Sequence, residues 1–412
     1  MTSVSDVARF LRLSEEPLAR VLALLDSDGE QARVIGGAVR NAMMGLPVGE
    51  VDLATTAVPD EVIRRFTAAG IKTVPTGIEH GTVTVVTHGV PFEVTTLRED
   101  VETYGRKAKV AFGRDWRKDA ERRDFTINAL SVSRDGEVHD YTGGIPDIAA
   151  RKVQFIGDPA SRIAEDYLRI LRFFRFHAAY GEGELDPAGL HACIVAREKL
   201  DTLSRERVRM ELMKLLGAPR AAATLTVMAE AGILQNVLGG VPRVASFTRM
   251  TANEAAAGLP RDPVRGLAAL AVAVTEDADR LGQRLRLANV ELSRLQSMSV
   301  GWWRIAAPVK DNAARALLYR LGPDAFADLV LLAWANSSPS TDDPQWRTLI
   351  TLPGRWQAPV FPLKAADFMA RGVEKGPALG AAIRTAEEAW IAADFPADAV
   401  AIAKILEDTT KS

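Results

Sequence analysis

ARVIGGAVRNAMMGLPVGEVDLATTA, residues 32–57, is the stretch on which the fold turns. Its first residues, Ala32–Ile35, read as a short buried strand. Gly36-Gly37 break it, and AVRNAMMGL after them is made of good helix formers. Glycines at a strand–helix junction let backbone N–H groups approach a phosphate, and the helix N-terminus adds positive potential. Arg40, one turn in, would add a charge-assisted contact. Taken alone, a tight turn that needs glycine is the plainer explanation. In GEVDLATTA (49–57), Glu50 and Asp52 stand two apart. On a strand, i and i+2 share a face, and two carboxylates there repel unless a cation lies between them. Mg2+ takes such a pair and keeps its other positions for water and phosphate oxygens. Two solvated acids on an edge strand are the bland alternative.

Working outward, Pro17–Leu25 reads as a helix. TVTVVT (82–87), the turn His88-Gly89 and VPFEVTTL (90–97) alternate as a hairpin. Glu93 lies mid-strand in its second arm, able to add a third carboxylate or simply to face solvent. Residues 98–123 carry nine Lys/Arg and six Asp/Glu and are expected to form a loop or an exposed helix. In ERRDFTINAL (121–130), Asp124 would cap a following helix, and Arg123 and Asn128 would reach a triphosphate or ribose. In AEDYLRILRFFRF (164–176), Asp166, Arg169, Arg172 and Arg175 recur every three residues, a polar stripe opposite buried Leu and Phe. Ion pairs of Glu165 and Asp166 with Arg169 are the plain reading. The sharper one is an Asp–Arg edge: the carboxylate accepts from an exocyclic amine, and the guanidinium donates to a ring nitrogen or carbonyl. Adenine and cytosine offer that order; guanine and uracil do not.

Beyond residue 150 strand signals vanish and Ala/Leu/Arg-rich helical periodicity takes over. Six of the seven tryptophans lie past residue 300, which suggests a separate helical core there. The chain has 412 residues, suited to two to four domains, and a net charge of −2. Residues 1–220 hold 31 Lys/Arg against 33 Asp/Glu, so any nucleic-acid site must be a local patch, for which Arg205, Arg207, Arg209 and Lys214 are candidates. Cys193 is the lone cysteine, which excludes an intramolecular disulfide and thiolate metal clusters and fits a cytoplasmic home. No apolar run approaches membrane-helix length, so no membrane partner is expected.

Taken in order, IGGAVR, VDLATTA, EVTTLR, RRDFTINAL, DYTGGIPDI, EDYLRILRFFRF and SRERVRMEL resemble the bacterial tRNA nucleotidyltransferase / poly(A) polymerase family. This is the class II branch of the polymerase-β-like nucleotidyltransferases. The resemblance is strongest over residues 30–215, and FPLKAADFMARGVEKGPALG (361–380) is similar to the tail of CCA-adding members. It implies an α+β polymerase-β-like nucleotidyltransferase head (1–147), followed by an elongated all-α neck with a base-reading helix (148–220), body (221–335) and tRNA-binding tail (336–412). It implies template-independent addition of CCA to the 3′ end of tRNA from CTP and ATP, with Mg2+ and release of pyrophosphate. Gly36, Gly37 and Arg40 would hold the triphosphate. Glu50 and Asp52 would hold the metal, with Glu93 auxiliary. Arg123, Asp124 and Asn128 would meet the nucleotide. Asp166 and Arg169 would read the base, helped by Arg172 and Arg175. Two positions depart from the family pattern: Glu50 stands where Asp is usual, and Asn41 follows Arg40 where Asp is common. A poly(A) polymerase, a partial CC- or A-adding enzyme, and a non-catalytic RNA-binding relative remain open.

Overall fold

A computed structural model describes residues 4–104, 107–337 and 340–411. They form two compact units, residues 1–237 and 238–412.

The first unit opens with helices α1 (Val4–Phe10) and α2 (Leu18–Leu25). Strand β1 (Ala32–Ile35) leads through Gly36 into α3 (Gly37–Met43); β2 (Asp52–Thr55), α4 (Pro59–Ala68) and β3 (Lys72–Gly77) follow. The hairpin of β4 (Thr82–Thr87) and β5 (Val90–Thr96) matches its sequence reading, with burial alternating along both arms. The charged stretch after it is neither loop nor exposed helix. It is a second hairpin, β6 (Arg98–Tyr104) with β7 (Lys107–Phe112), followed by the short α5 (Trp116–Glu121). RRDFTINAL likewise departs from expectation. Instead of a helix it makes a 3-10 turn at Thr126–Asn128 and enters β8 (Ser131–Ser133), which pairs with β9 (Val138–His139).

Seven strands form one sheet in the order β3-β4-β5-β2-β1-β8-β9. Every pairing in it is antiparallel except β2 with β5. Among the described residues no strand follows β9, so the helical texture expected past residue 150 is present. The unit continues through α6 (Gly144–Ala149), α7 (Pro159–Glu165), α8 (Leu168–Tyr180), α9 (Pro187–Ala196), α10 (Arg205–Leu216) and α11 (Ala221–Glu230) to α12 (Ile233–Leu238). Phe125 after α5 meets Phe155, Phe173 and Phe176, with ring centroids 4.9, 6.3 and 5.3 Å away. Offset aromatic packing of this kind adds to area burial. It seats the inner face of α8 against the segment that carries Arg123 and Asp124.

The second unit is helical throughout its described residues, from α13 (Val244–Ala256) to the C-terminal helix Ala399–Thr410. It holds a chain of ion pairs: the buried Arg265 pairs with the buried Glu254 and Asp328, and the half-buried Arg294 with Asp262 and Asp328. Four of the late tryptophans, Trp334, Trp346, Trp356 and Trp390, make ring contacts there, within a unit that starts at residue 238 and not past residue 300. No helix of the described residues is long and apolar enough to cross a membrane.

Candidate active site

Sheet register brings the first acids to the glycines. Ile35, the last residue before Gly36, pairs with Asp52 across β1 and β2. The parallel register Leu53↔Val94 sets Asp52 beside Glu93 at the start of the matched run. Leu53 and Val94 point into the core, so Asp52 and Glu93 point out of it on the opposite face. Glu50 is not on a strand. It lies in the exposed loop before β2, so the shared-face argument does not apply to it. Its charge still reaches Asp52. Burial, then Glu93, then Glu50 push the Asp52 carboxyl above its usual range, partly offset by Arg123.

These acids fit a divalent cation in a particular way. Among the described residues no three His, Cys, Asp or Glu side chains form a closed metal-ligating group. Mg2+ does not ask for one: it typically binds one or two carboxylates and completes its shell with water and substrate phosphates. Hard oxygen donors whose mutual repulsion is unrelieved by any ion pair suit that mode.

The repulsion has a measurable consequence. A carboxyl with a raised folded pKa binds more protons folded than unfolded. Metal-free stability therefore falls as pH rises from the ordinary carboxylate value through the raised one. Asp52→Asn removes that penalty. In a thermal melt with EDTA at neutral pH, Asp52→Asn is expected to unfold at a higher temperature than the parent, with a flatter dependence on pH. A lower Tm would contradict the repulsion.

A cleft of about 500 Å³ is lined by Gly36, Gly37, Arg40, Asp52, Arg122, Arg123, Asp124 and Asn128 from the sheet side. Asp166, Leu168, Arg169, Arg172, Arg175, Phe176 and Arg207 line it from the helices. Gly36 has φ +68, which explains glycine there by the turn alone. Gly37 has no such need: a Cβ would meet Arg40 Nη2 at an ordinary 3.5 Å. What a side chain at Gly37 would take away is room in the cleft.

Arg40 is buried, which lowers its pKa, and is held on every side. Its guanidinium lies 3.9 Å from the centre of the Tyr180 ring and donates to the Tyr180 hydroxyl (2.8 Å), to Asn41 Oδ1 (2.9 Å from Nη2) and to Asn128 Oδ1. Arg123 donates to Asp119 (3.0 Å), which also holds Arg122. Burial pushes Asp119 up, but the two guanidinium groups outweigh it and leave its carboxyl below the usual range.

Asp124 does not cap a helix. Its carboxylate accepts from its neighbour Phe125 N–H (2.9 Å), from Asn128 Nδ2 (3.2 Å) and from Arg172 Nε (2.7 Å). Burial raises its pKa, and Arg172 with these hydrogen bonds more than reverses that. Asp124 and Asn128 thus form the cleft floor, one holding Arg172 and the other Arg40.

The stripe of AEDYLRILRFFRF is real for the arginines and not for the acid. Asp166 precedes α8, at extended backbone angles after α7. Its Oδ1 accepts from Leu168 N–H (3.1 Å) and its Oδ2 from Arg207 Nη2 (2.6 Å). Arg169 pairs with Glu165, not Asp166, and donates to the Arg162 carbonyl (2.8 Å). Arg175 and Arg172 both reach the buried Glu211 of α10. Arg207 and Glu211 were not legible as site residues. Arg207, read as part of an outward basic patch, turns into the cleft, while Arg205 lies 3.5 Å from Asp201. The spacing of Arg207 and Glu211, one helical turn apart, was the available signal.

Comparison with known proteins places this arrangement. A mitochondrial CCA tRNA nucleotidyltransferase 1 of Mus musculus is 33% identical over 394 residues, 92% of this chain and 87% of that protein. The chain belongs to the class II CCA-adding tRNA nucleotidyltransferase / poly(A) polymerase family. Within this family, a CCA-adding enzyme of Limosilactobacillus fermentum is 31% identical over 384 residues, covering 90% of this chain and 91% of its own. The poly A polymerase head domain matches residues 32–154, and a probable RNA- and SrmB-binding site of polymerase A matches residues 184–247. The Bacillus stearothermophilus CCA-adding enzyme in complex with CTP superposes with a TM-score of 0.73 at 24% identity, over 100% of this chain and 99% of that one, which shows the fold. Family membership brings a nucleotidyltransferase that typically uses a divalent metal.

Proposed function

We propose that this chain adds CCA to the 3′ end of tRNA, taking CTP twice and then ATP. The observation that carries the reading is the single cleft in which Gly36, Gly37, Arg40, Asp52, Asp166 and Arg169 meet. In each addition the 3′-hydroxyl oxygen bonds to the α-phosphorus, the α–β bridging bond breaks, and pyrophosphate leaves with the electron pair. Backbone N–H groups at Gly36-Gly37, with Arg40 and Arg123, hold the triphosphate in line for that displacement. Asp166 accepts from the exocyclic amine of cytosine or adenine, and Arg169 donates to the neighbouring acceptor. Arg172 and Arg175, fixed by Asp124 and Glu211, keep α8 in place behind them. Glu50 and Asp52, with Glu93 beside them, would hold Mg2+. Bound there, the ion lowers the pKa of the attacking hydroxyl and neutralises charge on the phosphates.

Residues 1–147 act as head and 148–220 as neck, while 221–335 and 336–412 grip tRNA by shape and backbone contacts. With a single cysteine the chain needs no oxidising compartment, which suits a reducing one such as the cytoplasm. The test uses tRNA ending at the discriminator base. CTP alone is expected to give two additions, CTP with ATP three, and ATP alone none, read on a sequencing gel. Poly(A) from ATP alone would assign the chain to the other branch, and no Mg2+-dependent pyrophosphate release would leave only RNA binding.

A further inference from the structure

The loop that carries Glu50 is weakly packed. No residue from Gly45 to Glu50 is buried. This loop borders a cavity of about 710 Å³ of mixed character, lined by Phe10, Leu46, Val48 and Phe92 and by the charged Arg12 and Glu15 among others. Among the described residues, two hydrogen bonds tie Leu46–Glu50 back to the head, and both end on Asn41. Leu46 N–H donates to the Asn41 carbonyl (2.9 Å), and Asn41 Nδ2 donates to the Pro47 carbonyl (2.9 Å). The other end of the same side chain holds Arg40: Oδ1 accepts from Arg40 Nη2 (2.9 Å) and Nε (3.2 Å). A guanidinium only donates and a carbonyl only accepts, so this bridge requires one acceptor and one donor on a single short side chain. Asn supplies both, and Asp supplies only acceptors.

We propose that Asn41 is a positioning residue that couples the triphosphate-binding Arg40 to the acidic loop and so sets where Glu50 stands beside Asp52. The inference rests on the reading of Arg40 and Glu50 given above.

The test separates the two ends of the bridge. Asn41→Asp keeps the acceptor for Arg40 and loses the donor to Pro47, whereas Asn41→Ala loses both. Mn2+ binding to the full chain without nucleotide, read from the free-ion signal by electron paramagnetic resonance, is expected to weaken about tenfold in Asn41→Asp, the scale of losing an outer partner of a metal site. KM for CTP at saturating metal is expected to stay unchanged in Asn41→Asp and to rise in Asn41→Ala. A bare charge effect runs the other way, because an added carboxylate attracts the cation. Asp52→Ala is the reference. If it loses Mn2+ binding while Asn41→Asp binds as the parent does, the coupling is overturned and the metal reading stands. If Asp52→Ala binds Mn2+ as tightly as the parent, the metal reading falls and the coupling falls with it. Should Asn41→Ala not fold, Asn41→Asp decides alone.

Discussion

Asp52→Ala is expected to abolish nucleotide incorporation while leaving tRNA binding intact. The side chain lies at the point where β1, β2 and β5 converge, opposite Ile35 and beside Glu93. Among the described residues it makes no ion pair, and its side chain is exposed, so its removal leaves the fold whole. Loss of an outer partner of a metal site already costs about 10–100-fold in activity. Loss of a direct ligand is therefore expected to exceed about 10²-fold, and excess Mg2+ is not expected to restore the rate. Single-turnover extension of tRNA with labelled CTP measures the chemical step, and a filter-binding titration of the same tRNA measures the grip. Extension at the parental rate would remove Asp52 from the chemistry. Loss of both readouts together would mark a structural residue instead.

What could be seen in the sequence follows from how local its cause is. The strand at 32–35, the hairpin at 82–96 and the glycine turn are written in adjacent residues: β-branched alternation, a two-residue turn, a helix former after glycine. The second hairpin is not. Its arms are crowded with charge, and what makes them strands is backbone pairing with each other in antiparallel register. β3 hides for a related reason, since Lys72–Gly77 contains Pro75 and ends in glycine while sitting at the sheet edge. At the site, residue types were legible and partners were not. Arg172 and Arg175 announced themselves by spacing, but Glu211, the carboxylate that holds them, is 36 residues beyond Arg175 on another helix. Asp124 was read as a helix cap because an apolar run follows it. The run became a 3-10 turn and a strand, and the same carboxylate serves Arg172 and Asn128.

Arg169→Ala is expected to blur the choice of CTP and ATP over UTP and GTP while sparing the chemistry. Arg169 is the second residue of α8, at the cleft wall, and its guanidinium is drawn back onto Glu165 and the Arg162 carbonyl. Asp166, its neighbour across the helix start, is held by Leu168 N–H and Arg207. Neither group is free to wander, and that rigidity gives an edge of fixed donor and acceptor positions its power to discriminate. A well-formed pair of such contacts is worth about 1–3 kcal/mol between right and wrong bases, a factor of roughly 5 to 150. The variant is expected to narrow the ratio of kcat/KM for CTP over UTP at the first addition by that order and to admit UTP or GTP, because cytosine and adenine share the amine-and-acceptor order that uracil and guanine lack. The maximal rate with any one nucleotide should change far less, because Asp52 and the triphosphate grip of Arg40 are untouched. An unaltered CTP/UTP ratio would show that the base is chosen elsewhere in the cleft. A uniform fall for every nucleotide would show that Arg169 serves the helix start through Glu165 and not the base.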